Sequence, residues 1–367
     1  MDLDLQIGSS RELQMESRRP RAGASEYARL RRSVIAAGLL ERAPGFYLLR
    51  GLLCYAILAA GLSLPFVLPG AWGALLAILV IGIGLLQVGV LGHDAAHLAV
   101  FTGVKANWAL GMLCWNVTLG ISFWSWRDRH NRHHANTNDI DDDPDIFNAG
   151  LIAFTAEQAR ARRGWRRRVT RRQAVVYPFL FPFVTIALRV DGWRFALTEL
   201  RGGPRLLDLA LLTLNLGLWA AAIALFGWQW LGIFIGSQLV GGLYQGLVVA
   251  PNHKGMPLWS KDVELSFLER QVLSSRNVAP HPFWDFFFGG LNYQVEHHLF
   301  PNMPRVNLNR ARDLVIRLCD ECGLPRAEMG AFASYRAIFV EMARIGRFCA
   351  EPAGETAAVT RECADSQ

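Results

Sequence analysis

The sequence predicts an all-α integral membrane protein, with four spanning helices in two hairpins and a helical cap on the cytoplasmic side. Three observations predict this fold. Apolar residues make up 52% of the 367 residues, and the mean hydropathy is +0.20. The chain is nevertheless basic, with a net charge of +7, and its cationic residues avoid the apolar runs. Seven of its nine histidines fall in three short clusters that follow or lie between those runs. Together these features are typical of a multi-spanning protein with one charged face.

Four apolar runs are long enough to cross a bilayer, and turn residues separate them into two pairs. The predicted spans are about 49–67, 72–91, 206–226 and 228–250. No Lys or Arg occurs between Gly51 and His97, or between Leu206 and His253. All 38 basic residues therefore fall on one predicted side, which the positive-inside rule makes cytoplasmic.

Two further apolar stretches do not have the features of a simple span. Residues 107–121 are too few for a full crossing, so we expect them to enter the membrane and return. A single crossing there would also place the first two histidine clusters on opposite sides. Residues 174–190 are interrupted by Pro178 and Pro182, and we assign them to the membrane interface.

The spans and the cap form one predicted membrane domain, residues 46–350. Residues 1–45 are polar and rich in arginine, and we expect a cytoplasmic, partly disordered segment. Residues 351–367 are expected to be a disordered tail.

The histidine clusters have helical spacing. The first is His93-Asp94-Ala95-Ala96-His97, the second is His130-Asn131-Arg132-His133-His134, and the third is Gln294-Val295-Glu296-His297-His298. Side chains at i, i+3 and i+4 share one helix face, so each cluster can direct its imidazoles to one point. Neutral imidazole is the commonest metal ligand. Scattered surface histidines would not repeat this spacing three times, so we predict metal ligation.

An eighth histidine joins these seven. His253 ends the fourth predicted span as His93 ends the second, so both are expected at the same membrane depth. His281 lies between two prolines without a spacing partner and is left out. The candidate ligands are His93, His97, His130, His133, His134, His253, His297 and His298. Eight imidazoles suit two ions better than one. Gln294 is expected either to ligate metal weakly or to hydrogen-bond a ligand histidine.

The residue types around the clusters narrow the choice of metal. No cysteine adjoins a cluster, and no HExxH helix of a zinc hydrolase is present. An oxygen-activating pair of iron ions is the best remaining fit, with histidine replacing most of the carboxylates that soluble di-iron proteins use.

The motifs HxxxH, HxxHH and QxxHH, placed in this order between and after two spanning hairpins, resemble those of the membrane-bound fatty acid desaturase family over about residues 50–345. The first histidine cluster and Gln294 resemble those of the "front-end" branch, which introduces a double bond between an existing double bond and the carboxyl end of the acyl chain. The segments 252–257 and 292–301 look like those of actinobacterial acyl desaturases. With 35 arginines to three lysines, this resemblance implies a bacterial inner-membrane protein.

The resemblance implies an enzyme that introduces a double bond into an acyl chain with dioxygen and electrons from outside. Front-end members from eukaryotes usually carry a cytochrome b5 domain with an HPGG motif, and this sequence has neither that motif nor a GxGxxG fingerprint. We therefore expect a separate electron donor, either a ferredoxin with its NAD(P)H-dependent reductase or cytochrome b5. The arginine-rich stretch Arg160–Arg172 is expected to lie on anionic headgroups or to dock an acidic protein.

Two other sets of residues allow more than one interpretation. The acidic run 139–145 is expected to be a solvated Asp-Pro turn rather than a metal site. Four aromatic residues are expected either to line an acyl tunnel or to belong to the interfacial belt: Trp115, Trp124, Trp126 and Tyr244.

Two alternative functions stay open. Related di-iron hydroxylases and ketolases use the same metal chemistry. A metal transporter is disfavoured, because transport sites place ionisable residues near the middle of the spans. The acyl carrier is expected to be CoA, a glycerolipid or a sphingoid base, without a preference among them.

Overall fold

The structure is a computed structural model that describes residues 22–147 and 150–350, and these residues are mainly helical. The first half contains α1 (Ala24–Ala36), α2 (Pro44–Val67), α3 (Ala71–Ala96), α4 (Val104–Met112), a π-helix (Leu113–Leu119), α5 (Phe123–Ala135), α6 (Ala156–Ala161) and α7 (Gly164–Arg171). The second half contains α8 (Gln173–Leu180), a 3₁₀ turn (Phe181–Phe183), α9 (Val184–Thr198), α10 (Gly202–Phe226), α11 (Gln229–His253), α12 (Phe267–Ser274), β1 (Arg276–Val278), α13 (Pro282–Phe287), α14 (Gln294–Leu299), α15 (Leu308–Cys322), β2 (Ala327–Met329) and α16 (Ala331–Arg347).

The first hairpin consists of α2 and α3, which run antiparallel and pack closely. A Cβ built on Gly61 would lie 2.7 Å from Cγ1 of Ile81, so the close approach of the two helices depends on glycine there. The helices have 24 and 26 residues, or about 36–39 Å at 1.5 Å per residue. Both exceed the ~30 Å of a hydrocarbon core.

The second hairpin consists of α10 and α11, and α11 runs parallel to α3. Gly236 lies against Ile78, and further along both helices the Gln87 side chain donates a 2.9 Å hydrogen bond to the Tyr244 hydroxyl. Because the two helices run in the same direction, their last residues meet at one end of the bundle. We call this end, where α3 and α11 finish at Ala96 and His253, the histidine end.

Five helical segments of the described chain are long and apolar enough to cross a membrane. Four correspond to the predicted spans. The fifth, Gln173–Thr198, combines α8, the 3₁₀ turn and α9, and overlaps the stretch that the sequence assigned to the interface. Gln173 bonds to the backbone of Ala153 and Met342 at the histidine end, while Phe181 packs against Gly246 of α11.

The short apolar run 107–121 forms part of α4 and the whole π-helix, which is capped by Gly120 with a left-handed φ of 70°. Trp115 packs against Gly92 in the last turns of α3. The chain on both sides of this run stays at the histidine end, because the rings of His93 and His130 are 5.0 Å apart. This is the arrangement expected if the run does not cross the membrane singly.

The helix α1 belongs to the folded part of the protein. Leu30 and Val34 are buried in a cluster with residues of α15, and the Tyr27 hydroxyl donates to the Leu299 carbonyl. The disorder expected for residues 1–45 therefore does not extend to residues 24–36. Residues 1–21 and the predicted tail 351–367 lie outside the described residues.

A short parallel pairing of β1 and β2 closes the histidine end. Arg276, which is 1% exposed, donates from β1 to the Pro251 and Lys254 carbonyls. These bonds tie the pairing to the end of α11, which fixes the position of His253.

Candidate metal centre

All eight predicted ligand histidines meet at the histidine end. Four elements bring them together, namely α3 with its C-cap, α5, the last residue of α11, and α14. The helical spacing works as predicted, because the rings of His93 and His97 are 4.8 Å apart and those of His130 and His134 are 4.5 Å apart. The His253 ring lies 4.7 Å from the rings of both His133 and His298, which places it inside the cluster.

The ring nitrogens form two groups. In the first, His93, His97, His130 and His297 each offer a nitrogen within 4.8 Å of the others. Nε2 of His134 lies 3.0 Å from Nε2 of His130 and 3.1 Å from Nε2 of His297, and so joins the same group.

The second group contains His133, His253 and His298, again with ring nitrogens within 4.8 Å of one another. Nε2 of His133 and Nε2 of His253 are 3.3 Å apart. The two groups adjoin, because the His134 and His298 rings stack at 4.1 Å. Two neighbouring sites are therefore available for two ions.

A protein acceptor holds Nδ1 of every ring in the second group. His133 Nδ1 lies 2.9 Å from the Asp143 carboxylate, and His253 Nδ1 lies 3.0 Å from the Ser274 carbonyl. His298 Nδ1 lies 2.8 Å from Oε1 of Gln271. With Nδ1–H donating, each Nε2 keeps its lone pair for a metal, which is the usual arrangement around histidine ligands.

Three buried ring nitrogens of the cluster have no hydrogen-bond partner among the described residues. Nε2 of His97, Nε2 of His298 and Nδ1 of His134 are buried without a hydrogen bond. Buried polar atoms are almost always satisfied, so unpaired nitrogens that belong to the same cluster fit a site that binds a cation. The ring nitrogens that face each other at 3.0–3.3 Å are also close enough to bind one ion together.

Electrostatics keeps most of these rings neutral. Burial, followed by the neighbouring histidines, holds the pKa well below the usual 6.5 for His97, His130, His134, His297 and His298. A ring must be neutral at the nitrogen that binds metal. Burial also lowers the pKa of His133, but the charge of Asp143 and its hydrogen bond outweigh that effect and raise the pKa.

Part of the acidic run has a different role from the one predicted. Asp139 and Asp143 are 3% and 0% exposed, so the prediction of a solvated turn is wrong for these two residues. The Asp143 carboxylate accepts from the Asn138 and Asp145 amides and also holds His133. The same carboxylate therefore closes the turn and orients the candidate ligand His133. Asp141 and Asp142 are both exposed, as a solvated turn predicts.

Gln294 lies beside the second group. Its Nε2 is 2.8 Å from Nε2 of His253, and its Oε1 accepts a 2.9 Å bond from Asn252. An ion on His253 would occupy the lone pair that this amide nitrogen now faces. A half-turn of the amide would direct its oxygen to the ion. The geometry is thus compatible with both expected roles of Gln294.

A cavity of about 410 Å³ leads from the histidines into the helix bundle. His93, His130, His133 and His253 line one end of the cavity. Apolar side chains, mainly of α3, α8, α9 and α11, form most of the remaining wall, and the charged residues Arg129, Asp145 and Lys254 also belong to it. Trp115 and Trp126 are in its wall, as the tunnel interpretation predicted, whereas Trp124 and Tyr244 are not. The Tyr244 hydroxyl instead bonds to Gln87 and to the Phe287 carbonyl.

His281 lies apart from both groups, as expected. Its Nδ1 accepts from the Phe283 amide at the start of α13. It therefore has a capping role.

Comparisons with known proteins show which sequences this chain resembles. A family model described as fatty acid desaturase matches residues 69–329. The Delta(6)-fatty-acid desaturase fat-3 of Caenorhabditis elegans is 28% identical over 316 residues, which cover 82% of this chain and 70% of that protein. The Delta(5) fatty acid desaturase fat-4 of the same organism is 30% identical over 312 residues, with coverages of 81% and 68%. The acyl-lipid (9-3)-desaturase of Physcomitrium patens is 29% identical over 309 residues, with coverages of 82% and 58%.

Proposed function

The chain belongs to the fatty acid desaturase family, and we propose that it introduces a double bond into an acyl chain, using dioxygen and two external electrons at a histidine-held pair of iron ions. The observation that carries this proposal is the union of two adjoining imidazole groups with one apolar cavity. Ligand nitrogens and a slot for a hydrocarbon chain meet at the same place.

The two groups divide the proposed ligands between the ions. One ion would be held by His93, His97, His130, His134 and His297, and the other by His133, His253 and His298, with Gln294 beside it. When bound, the irons supply dioxygen activation for removing hydrogen from two adjacent methylenes. The protein's own residues orient the rings through Nδ1, exclude water and hold the chain extended in the cavity.

The alternatives are weaker. A hydroxylase or ketolase would use the same ligands, but the relatives reported above carry desaturase names. A metal transporter would need ligands near the middle of the spans. Here the candidate ligands lie at the ends of α3 and α11 and in elements outside the spans.

We propose that the chain crosses the membrane four times and that Gln173–Thr198 bends back without crossing. Phe181 and Thr185 approach Gly246 and Gly241 of α11, whereas Gly192 packs against Ser122, the N-cap of α5. A segment that starts and finishes at the histidine end leaves an even number of crossings. The parallel course of α3 and α11 supports this proposal, because it also requires an even number of crossings between their ends.

The histidine end is proposed to face the cytoplasm, because the basic residues gather on that side. The bacterial inner membrane is proposed from the sequence resemblance, although the relatives named above are eukaryotic. The electron donor is proposed to be a ferredoxin with its NAD(P)H-dependent reductase, with cytochrome b5 as the alternative. Its docking surface would include the exposed arginines of α7, among them Arg166, Arg168 and Arg171.

The direct test uses purified protein in nanodiscs with iron, ferredoxin, reductase, NADPH and two kinds of acyl substrate, one saturated and one that already carries a double bond. We expect about two irons per chain and a product lighter by two hydrogens, measured by metal analysis and mass spectrometry. A product that gains oxygen would establish the hydroxylase alternative. Bound metal without any product would contradict the proposed reaction.

A further inference from the structure

Lys254 places a cation in the wall of the acyl cavity, directly after the candidate ligand His253. Its Nζ donates a 2.9 Å hydrogen bond to the Asp145 carbonyl and lies 4.3 Å from the centre of the Phe154 ring. Both Asp145 and Phe154 also line the cavity.

The ammonium group has hydrogen-bonding capacity left over. It carries three N–H donors, and the described residues accept only one of them. No carboxylate of the described chain lies within ion-pair distance of Nζ. A partly desolvated ammonium with free donors needs a further acceptor, and the cavity is the space in which that acceptor can lie.

The other cationic side chain in the cavity wall, Arg129, already has an ion-pair partner. Arg129 donates through Nε and Nη2 to Oδ1 of Asp145, at 3.0 and 2.8 Å. Its planar guanidinium is held by that carboxylate, whereas the flexible side chain of Lys254 is not. Lys254 is therefore the group that can meet a ligand.

The surrounding charges indicate which acceptor fits. The ionised groups that act on Lys254 are Arg129, Asp143 and Asp145. With Lys254 itself they comprise two cations and two anions, so the charges of these side chains balance one another. A carboxylate would bring an excess negative charge into a partly buried site, at a desolvation cost. A carbonyl oxygen is a strong neutral acceptor and brings none.

We propose that Lys254 binds the carbonyl oxygen of the substrate's acyl ester or thioester, and thereby fixes which methylenes lie at the metal sites. This rests on the proposed function. Because Lys254 is the next residue after His253, the carbonyl end of the chain is held close to the second histidine group. The new double bond is then set at a short, constant distance from the carbonyl.

The test compares ligands that differ only at the carbonyl. Stearoyl-CoA is paired with S-octadecyl-CoA, and 1-stearoyl-glycerophosphocholine with its 1-O-octadecyl ether. Binding to the iron-loaded protein in nanodiscs is measured without an electron donor, so that no turnover occurs. The variants are Lys254→Met and, as the matched control, Lys105→Met, which removes an exposed lysine outside the cavity.

Wild type and Lys105→Met should bind the carbonyl member of one pair about tenfold more tightly. Lys254→Met should lose that preference while its affinity for the alkyl member stays unchanged, a result that a merely structural lysine would not produce. The pair with the preference identifies the carrier as CoA or glycerolipid. No preference in wild type for either pair, or an unchanged preference in Lys254→Met, would overturn the proposal.

A second readout is the position of the double bond. Wild type should give one positional isomer, and Lys254→Met a mixture, because the chain can slide without its carbonyl contact. The two proposals fail separately. A carbonyl preference that depends on Lys254, in a protein that makes no alkene, would refute the desaturase and leave the carbonyl contact standing. Desaturation at one position in both wild type and Lys254→Met would refute the carbonyl contact and leave the desaturase standing.

Discussion

Arg305 donates a 2.7 Å hydrogen bond from Nε to Oδ2 of Asp94, and both side chains are 9% exposed. The other oxygen of Asp94 lies 3.1 Å from Nδ1 of His93. The Tyr47 hydroxyl also donates to Oδ2 of Asp94 and accepts from the Arg305 amide. Arg305, in the segment that follows the third histidine cluster, is thus linked through Asp94 to His93, the first residue of the first cluster.

Removing Arg305 should therefore damage the metal site as well as the fold. In Arg305→Gln the Asp94 carboxylate stays buried without its ion pair, which costs about 3–5 kcal/mol. We expect lower thermal stability in detergent and weaker iron binding, measured by scanning fluorimetry and metal analysis. Tyr47→Phe removes only one hydrogen bond from the same carboxylate and should cost about 1 kcal/mol. Equal losses in the two variants would contradict the dominant role given to the ion pair.

The histidines provide the most direct test of the metal assignment. His134→Ala and His298→Ala should each abolish desaturation and lower bound iron, while the protein stays in the membrane because the spans do not depend on metal. The same test decides whether His253 is a ligand. His281→Ala is the matched control, since His281 caps α13 away from both groups. Full activity in His134→Ala or His298→Ala would rule out the two-iron assignment.

The histidine positions could be predicted from sequence because helical periodicity is local. Spacing at i, i+3 and i+4 fixes which face His130, His133 and His134 share. His253 followed from equal membrane depth. The acceptors that hold Nδ1 of His133, His253 and His298 gave no such signal in the sequence. They belong to Asp143, Ser274 and Gln271, which lie 10, 21 and 27 residues from the histidines they hold.

Other features depend on tertiary packing in the same way. α1 is polar and rich in arginine, and its burial depends on a stripe containing Leu30 and Val34 that meets α15. Composition alone therefore suggested disorder. Likewise, Pro178 and Pro182 indicated a break in the segment 173–198, but its packing against α11 comes from contacts distant in sequence.

Gln294 can be tested for its two possible roles. Gln294→Ala should impair turnover in either case, because the amide lies 2.8 Å from Nε2 of His253. Reduced iron content would favour a ligand role. Normal iron with reduced turnover would favour a hydrogen-bonding role, and Asn252→Ala should then produce a similar but smaller effect, since Asn252 bonds to the same amide. Wild-type turnover and iron content in Gln294→Ala would exclude both roles.

Iron-free protein should lose stability as the pH falls below 6.5. The histidines with lowered pKa stay neutral when folded but take up protons when unfolded, so the unfolded state gains from acid. These are His97, His130, His134, His297 and His298. Two groups act in the opposite direction: burial raises the pKa of Glu296 to about 7, and Asp143 raises the pKa of His133, but five histidines outnumber them.

The measurement is the melting temperature of the detergent-solubilised, iron-free protein between pH 8 and pH 5.5. We expect a plateau above pH 6.5 and a decline below it. Iron-loaded protein should resist the decline until acid releases the metal, because bound metal competes with protons for the same nitrogens. A melting temperature that rises towards pH 5.5 would contradict neutral, buried imidazoles.

Electron delivery should depend on the arginines of α7. Arg166, Arg168 and Arg171 are exposed, and Arg168 and Arg171 form no ion pair with the described residues, so their charge is available to attract an acidic protein. Activity with ferredoxin and reductase should fall steeply as salt rises beyond ~0.15 M, where the Debye length is about 8 Å. Arg168→Glu/Arg171→Glu should raise the KM for ferredoxin and reduce this salt dependence, with little change in affinity for the acyl substrate.

The matched control is Arg31→Glu/Arg32→Glu, which makes the same change of charge on exposed positions of α1. It should leave the KM for ferredoxin near that of wild type, because the attraction depends on where the charge lies and not only on its sum. Equal effects of the two charge reversals would mean that net charge alone attracts the donor. Turnover with NADPH and no carrier protein would refute a separate donor, whereas salt-insensitive turnover with ferredoxin would refute only the role of α7.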